Sequence, residues 1–216
     1  MKINVSNCPL CLDYNTQEYS RDKLRSYLIC SNCELIFVPR DQLITQEQEK
    51  KRYDSHQNDK EDSNYQNYLK KIINEILPSL EKEDTGLDFG CGITDLMGQL
   101  FKTKSFEVDS FDLYFFPEKN IWKKKYNFII LSEVIEHLRN PISEMQGLRQ
   151  ILWARGQFFI KTKLHPNQKD SFDNWFYKRD NTHVQFFNLA SLKKLATQLN
   201  MNDPEMIGED LYRFTS

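Results

Sequence analysis

Three groups of residues in this chain have the types and spacing to do chemistry. The first is a pair of Cys-x-x-Cys turns, Cys8-Pro-Leu-Cys11 and Cys30-Ser-Asn-Cys33, separated by residues 12–29. Each turn aims two thiolates at one point, and four thiolates fill a tetrahedral zinc site. Such a site leaves no coordination position open, so its zinc would hold structure and do no chemistry. Two disulfides or free core thiols are the other readings. The start, MKINVSNCPL, lacks the apolar stretch of a secretory signal, which speaks against disulfides.

The second group is Gly86-Leu87-Asp88-Phe89-Gly90-Cys91-Gly92-Ile93-Thr94, which holds three of the chain's 7 glycines. The backbone must turn sharply there or let something come close. Gly90-Cys91-Gly92 follows a strand-like Leu87-Asp88-Phe89 and precedes a helical pattern. Open α/β sheets bind nucleotide-like ligands at that place, outside the carboxyl ends of their strands. Asp112, 20 residues beyond Gly92, ends the next strand, where a carboxylate can accept both ribose hydroxyls. A dinucleotide site wants a third glycine where Asp95 stands, and that carboxylate would repel a pyrophosphate. Two acids, Asp88 and Asp112, around a glycine turn suit a ligand with a ribose and a cationic amino-acid end. S-adenosylmethionine has both and carries no phosphate.

The third group contains acids and imidazoles: Glu133, Glu136, His137, Asp180 and His183. A sulfonium is already a good leaving group, so methyl transfer mainly needs alignment of nucleophile, methyl and sulfur. A general base is needed only where the acceptor must lose a proton. Asp180 can orient His183 as that base, or form a plain salt bridge with Arg179. Glu136 and His137, early in a helix, can instead bond neighbouring backbone. Trp175, Phe176 and Tyr177 read as a minor core or as a stacking wall for a planar acceptor. Tyr53 and His56 read as surface linker residues or as a lid over a ligand pocket. His165 carries no expectation.

These groups need elements to place them. Residues 1–40 read as a zinc ribbon, with strand-like pieces at 26–29 and 34–38. Residues 41–65 are very polar and connect it to a domain spanning 66–216. Tyr68, Leu69, Ile72, Ile73, Ile76 and Leu77 recur at helical spacing. A helix is expected over 96–102, with Thr94 and Asp95 able to cap it. Strands are expected over 105–112, 126–131 and 156–161, and helices over 134–138, 141–153 and 189–199. YNFIIL at 126–131 is apolar enough to be buried on both faces, as in a parallel sheet. Residues 163–187 read as an aromatic-rich irregular insertion, and 201–216 as one or two closing strands. Alternating strands and helices give an α/β domain with a mostly parallel sheet. Only 13 residues lie between Asp112 and Tyr126, too few for a helix, a strand and a helix, so the sheet should be abridged by an element.

Bulk composition narrows the function classes. A net charge of −2 and a pI near 6.1 do not suggest a nucleic-acid footprint, and Lys123-Lys124-Lys125 reads as a solvated loop. No apolar run approaches the ~18 residues of a membrane span, so the expectation is a cytoplasmic protein. Aromatic residues at 13% argue against disorder.

Here the motifs combine. Asp88-Phe89-Gly90-Cys91-Gly92 resembles the first motif of class I S-adenosylmethionine-dependent methyltransferases of the broad methyltransferase-23/11 type. Tyr126 to Leu138 is similar to the family's fourth-strand segment, in which E-V-I/L-E-H-L is common, and Arg139-Asn140-Pro141 continues it. Trp175 to Val184 resembles a W-x-Y-x-R-D-x-T-H-V signature of a bacterial subgroup with an N-terminal zinc ribbon, and Tyr53 and His56 sit where that subgroup has Y-x-x-H. The chain departs from many relatives in having Thr94 where they have a third glycine. The resemblance implies an abridged Rossmann-like methyltransferase domain, with S-adenosylmethionine as cofactor and structural Zn2+ in the ribbon. It implies that Gly90, Cys91 and Gly92 pass under the cofactor. Asp88 would hold its methionine end, Asp112 its ribose, and Leu113 its adenine. Ser132 and Glu133 would line the cofactor–acceptor boundary, with Tyr53 and His56 as further cofactor contacts. Glu133, His137, Asp180 and His183 are the catalytic candidates, and Cys8, Cys11, Cys30 and Cys33 the metal ligands.

The acceptor implied is a small molecule. RNA or protein is the alternative, because zinc ribbons can present residues to single strands, although the charge balance argues against RNA. A nicotinamide oxidoreductase and a cofactor-binding adaptor that transfers nothing are the remaining readings.

Overall fold

The computed structural model describes residues 6–54, 60–117 and 119–216. The N-terminal part begins with strands β1 (Thr16–Arg21), β2 (Ser26–Cys30) and β3 (Ile36–Phe37). Helices α1 (Gln46–Asp54) and α2 (Ser63–Ile76) follow. Then come β4 (Thr85–Phe89), α3 (Leu96–Lys102), β5 (Glu107–Phe111) and β6 (Tyr126–Ser132). The chain continues through α4 (Pro141–Ile151), β7 (Leu152–Lys161), α5 (Lys169–Asn174) and β8 (Gln185–Phe186). It ends with α6 (Leu189–Gln198), β9 (Glu205–Gly208) and β10 (Leu211–Phe214).

The main sheet has six strands in the order β5-β4-β6-β7-β10-β9. Strands β5, β4, β6 and β7 run parallel, and β10 and β9 close the edge antiparallel. This is a mixed, mostly parallel Rossmann-like sheet. Among the described residues only a short 3-10 turn, Lys119–Lys123, lies between β5 and β6, so the expected abridgement is present. Phe128, Ile129, Ile130 and Leu131 of β6 are fully buried, as a central parallel strand covered on both faces requires. The helix α2 starts at Asp62, whose carboxylate accepts from Asn64 N–H. Its Leu69, Ile72, Ile73 and Ile76 pack with Leu96, Met97 and Phe101 of α3 over Phe128 and Phe159. Each such buried side chain contributes about 1.5–3 kcal/mol.

A second sheet joins the two ends of the site. Its order is β1-β2-β3-β8, all antiparallel. Thus the N-terminal strands pair with a strand from the insertion after β7. Leu10, Leu28, Leu35 and Phe37 also belong to the same apolar cluster as Leu131, Ile160 and Phe187.

The local assignments differ from expectation in several places. Residues 163–187, expected to be irregular, carry α5, a 3-10 turn at Phe176–Arg179 and β8, because β8 pairs with β3. Strand β1 was not expected, because TQEYSR is polar. Residues 134–138 form one 3-10 turn, Ile135–His137, instead of a helix, since Glu133 at φ 55° breaks regular geometry just before it. Helix α4 stops at Ile151 and Trp153 lies in a strand, because Leu152 already pairs with Tyr126. Asp95 occupies the N-cap of α3, but its carboxylate accepts from the Gln99 side chain at 2.7 Å and not from backbone.

Candidate functional site

The glycine turn lies at the carboxyl ends of β4 and β5. Gly90 has φ 85° and Gly92 φ 71°, a region that side-chain-bearing residues avoid. A Cβ at Gly90 would also collide with Val134. Gly86 is there for another reason: the Phe128 ring occupies the space of its Cβ. The turn is pinned by Gly90 and Cys91 N–H groups, which donate to Phe111 O at 2.7 and 3.0 Å. Asp112 binds the turn directly. Its Oδ2 accepts from Gly92 N–H at 3.1 Å, and its Oδ1 from Tyr114 and Phe115 N–H at 2.8 and 3.1 Å. A carboxylate has about four acceptor positions, so one remains for an outside hydroxyl.

Asp88 is buried beneath this turn, and burial, with the Asp112 charge beside it, pushes its carboxyl up to about 7. Tyr65 of α2 stands near it, its phenol pushed up to about 12 by burial and by the Asp88 charge. A buried acid that loses its proton only near neutrality is suited to meeting a cation. Cys91 is buried, with its thiol held protonated by burial and the charges of Asp88 and Asp112. It packs the turn. Leu113 follows Asp112 and is 61% exposed.

A second polar cluster lies at the carboxyl end of β6. Glu136 is fully buried; the Tyr177 hydroxyl bonds its Oε1, and Thr162 Oγ1 donates to its Oε2 at 3.1 Å. The same Tyr177 hydroxyl lies 2.9 Å from Glu133 Oε2. A phenol has one proton, so it cannot donate to both carboxylates at once, and the pair titrates together. Burial and the Glu133 charge push Glu136 up to about 8, and burial also raises Glu133. Ser132 and Glu133 face Tyr68 of α2, whose phenol is raised by burial and by Glu133.

Two imidazoles complete this cluster. The rings of His137 and His183 lie 4.7 Å apart. His137 Nδ1 contacts Thr182 O at 3.1 Å, and His183 Nδ1 contacts Tyr177 O at 2.7 Å. A carbonyl only accepts, so both Nδ1 atoms carry the hydrogen, and each ring's second nitrogen is the one able to bind a proton or a metal. Burial lowers His183 to about 4, so it is neutral at pH 7. Asp180 does not bond the His183 ring. Its Oδ1 accepts from Thr182 N–H and hydroxyl at 3.0 and 2.6 Å, and Arg52 reaches Oδ2 at 2.8 Å. Burial raises that carboxyl, but the Thr182 and Arg52 bonds win and hold it well below the usual range. Asp180 therefore shapes the loop that carries His183. Arg179 is not its partner.

Helix α1 lies over this cluster. Tyr53 packs against Tyr114 and His137, ring centroids 5.8 and 5.5 Å away. Arg139 donates to Glu49 Oε2 and to Ile44 O, both at 2.7 Å, and ties α1 to the turn after Leu138. His56 lies outside the described residues.

The four N-terminal cysteines converge, with all sulfurs within 4.8 Å of one another. Cys8–Cys33 and Cys11–Cys30 sulfurs are each 3.5 Å apart. A disulfide needs about 2.05 Å, so these are free thiols. A tetrahedral ion with Zn–S bonds of about 2.3 Å puts its sulfurs roughly 3.7 Å apart, and the donor set fits that geometry.

With this geometry in hand, the chain belongs to the family described as "Methyltransferase domain", whose model matches residues 62–203. No curated protein matches it by sequence. Among solved structures, it is similar to CalO1, a methyltransferase in calicheamicin biosynthesis solved with S-adenosylhomocysteine. The identity is 9% and the TM-score 0.49, over 68% of this chain and 52% of that one. Magnesium protoporphyrin IX methyltransferase from Synechocystis PCC 6803 is also similar. It shows 10% identity and a TM-score of 0.46, over 70% of this chain and 83% of that one. A methyltransferase of Bacillus halodurans, described as putative, has 16% identity and a TM-score of 0.45, over 64% and 70%. The chain thus spans about half the length of CalO1. No helix among the described residues is long and apolar enough to cross a membrane.

The sequence reading brought most of these residues to one edge of the sheet. It did not anticipate Thr162, Tyr68 or Tyr177 as polar partners of the two glutamates. A buried Glu at 136 in an otherwise apolar IIL-x-x-V-I run was the available signal, since a buried acid requires donors.

Proposed function

We propose that this chain transfers a methyl group from S-adenosylmethionine to a small-molecule acceptor held under α1. When bound, the cofactor supplies the activated methyl. The chain's residues do the rest. Gly90 and Gly92 let backbone pass close to it. Asp88 meets its cationic amino-acid end, and Asp112 offers its remaining acceptor position to the ribose. Ser132 and Glu133 line the boundary with the acceptor. Glu133 stands where an acceptor proton would be taken up, with Glu136, His137 and His183 beside it, while Tyr53 and Tyr114 exclude water from above.

One observation carries this reading. A buried acid beneath a glycine turn at the sheet's carboxyl edge lies next to a second buried cluster of acids and imidazoles. The first suits a cationic ligand and the second a proton-releasing acceptor. A structural Zn2+ held by Cys8, Cys11, Cys30 and Cys33 completes the proposal, together with a division into ribbon (1–40), connecting lid (41–65) and transferase domain (66–216). Calorimetric titration with S-adenosylmethionine, S-adenosylhomocysteine and NAD tests it. Saturable binding of the first two without NAD is expected. Binding of neither sulfur ligand would overturn it.

A further inference from the structure

We propose that Glu136, His137 and His183 form a second metal site, separate from the four cysteines, for a divalent first-row transition ion. One ligand atom from each lies within 4.8 Å of the other two. A tetrahedral or octahedral ion with bonds of about 2.0–2.2 Å needs separations of roughly 3.0–3.5 Å. Rotamer adjustments of the order of 1 Å bring the three donors to that distance.

Outer contacts fix all three. His137 donates Nδ1–H to Thr182 O and His183 donates Nδ1–H to Tyr177 O. That orientation, with the second ring nitrogen as ligand, is the one that metal-binding histidines adopt. Glu136 accepts from Tyr177 and Thr162 hydroxyls, one on each oxygen, and each oxygen keeps a second lone pair. Among the described residues, no Lys or Arg forms an ion pair with Glu136, although it is fully buried. A buried carboxylate without a cation is costly, and a metal ion supplies the missing charge. Two imidazoles and one carboxylate select zinc, cobalt, iron, nickel or manganese over calcium and magnesium.

Three protein ligands leave a position open. Resting on the function proposed above, that position takes the oxygen of a hydroxyl acceptor. The acceptor's O–H bond gives its proton to solvent or to Glu133 as the oxygen binds. Its oxygen then forms the bond to methyl while the carbon–sulfur bond breaks and its electron pair stays on sulfur. Positive charge is conserved, since the sulfonium becomes a neutral thioether and one proton is released.

Cobalt(II) titration of the metal-stripped full chain tests the site, with S-adenosylmethionine binding measured separately. Two ions per chain are expected. One gives intense thiolate-to-metal charge transfer from the cysteines, and the other only the weak d–d bands of nitrogen and oxygen ligands. His137→Ala and His183→Ala should lose the second ion and keep the first. Tyr177→Phe should weaken the second ion about tenfold to a hundredfold. If His183→Ala fails to fold by circular dichroism, the partly exposed His137 decides. A single ion with full thiolate signal in the wild type, or two ions retained in folded His137→Ala, would overturn the proposal. Two ions without cofactor binding would uphold the metal site and remove its part in methyl transfer.

Discussion

Tyr53 of α1 meets the His137 ring edge-on, with centroids 5.5 Å apart and planes at 81°. This contact joins a helix with no buried residues to the cluster that holds the fully buried Glu136. Two ion pairs support it, Arg139–Glu49 and Arg52–Asp180. The acids of both pairs are largely covered, and the aromatic contact adds about 0.5–1.5 kcal/mol to what they contribute.

Tyr53→Ala should therefore loosen α1 without unfolding the rest. Proteolysis within residues 46–54 is expected to speed up several-fold, and the Michaelis constant for acceptor to rise about five- to tenfold. Unchanged cleavage and unchanged kinetics would mean that α1 is not a cover.

Gly90→Ala combines two penalties. Its φ of 85° costs about 1–2 kcal/mol for an L-residue, and the new methyl would strike Val134, adding about 1–3 kcal/mol. Urea unfolding should show a loss of roughly 2–5 kcal/mol. In a Val134→Ala background the steric part should disappear while the backbone part stays. A loss of equal size in both backgrounds would show that Val134 does not set the cost.

How much of this was legible in the sequence depends on the separation of the partners. The glycine turn, Asp88 and Asp112 form one local strand–turn–helix, so spacing revealed them. The abridged sheet followed from the 13 residues between Asp112 and Tyr126, and chain reach alone decides that. The contacts of Glu136 with Tyr177 and Thr162 span 41 and 26 residues, and nothing in a single sequence reports such pairs. Strand β8 is two residues long and pairs with β3 because of tertiary packing. No period can be read from two residues. The turn at 135–137 looked helical because Val134-Ile135-x-x-Leu138 has helical spacing, which a single 3-10 turn can also satisfy.

Asp88 makes a pH prediction. Its carboxyl is raised to about 7, facing Asp112 just after β5, Cys91 from the turn and Tyr65 from α2. The folded protein thus holds this proton more tightly than the unfolded chain. Its contribution to stability is fully present below about pH 4 and is lost as pH rises to about 7. Asp88→Asn removes the titration, so the variant should gain on the wild type across that window. At about 1.4 kcal/mol per pH unit the gain reaches roughly 4 kcal/mol at most. Cofactor affinity has the opposite sign. The ionised acid binds the cation, so affinity should climb up to tenfold per unit as pH approaches 7, and Asp88→Asn should flatten the slope. Parallel slopes for variant and wild type would assign the titration to another group.

The N-terminal ribbon reaches the cluster through backbone. Arg25, between β1 and β2, is buried and donates to Lys178 O, Asp180 O and Asn181 O at 2.7, 2.9 and 3.1 Å. Val38 N–H donates to Val184 O, and Val184 N–H to Glu136 O, both at 2.9 Å. Residues 178–184 are thus held from the ribbon side, and His183 sits among them. Arg25→Ala takes the donor from three carbonyls, and the buried one, Lys178 O, is left unpaired at a cost of about 1–3 kcal/mol. Hydrogen exchange across 178–184 should accelerate at least tenfold, with turnover falling and cofactor affinity unchanged. Cys8→Ser with Cys11→Ser should do the same by melting β1 to β3, while exchange in β4 to β6 stays slow. Unaltered protection of 178–184 in both variants would separate the ribbon from the site and leave its role to a partner or to stability alone.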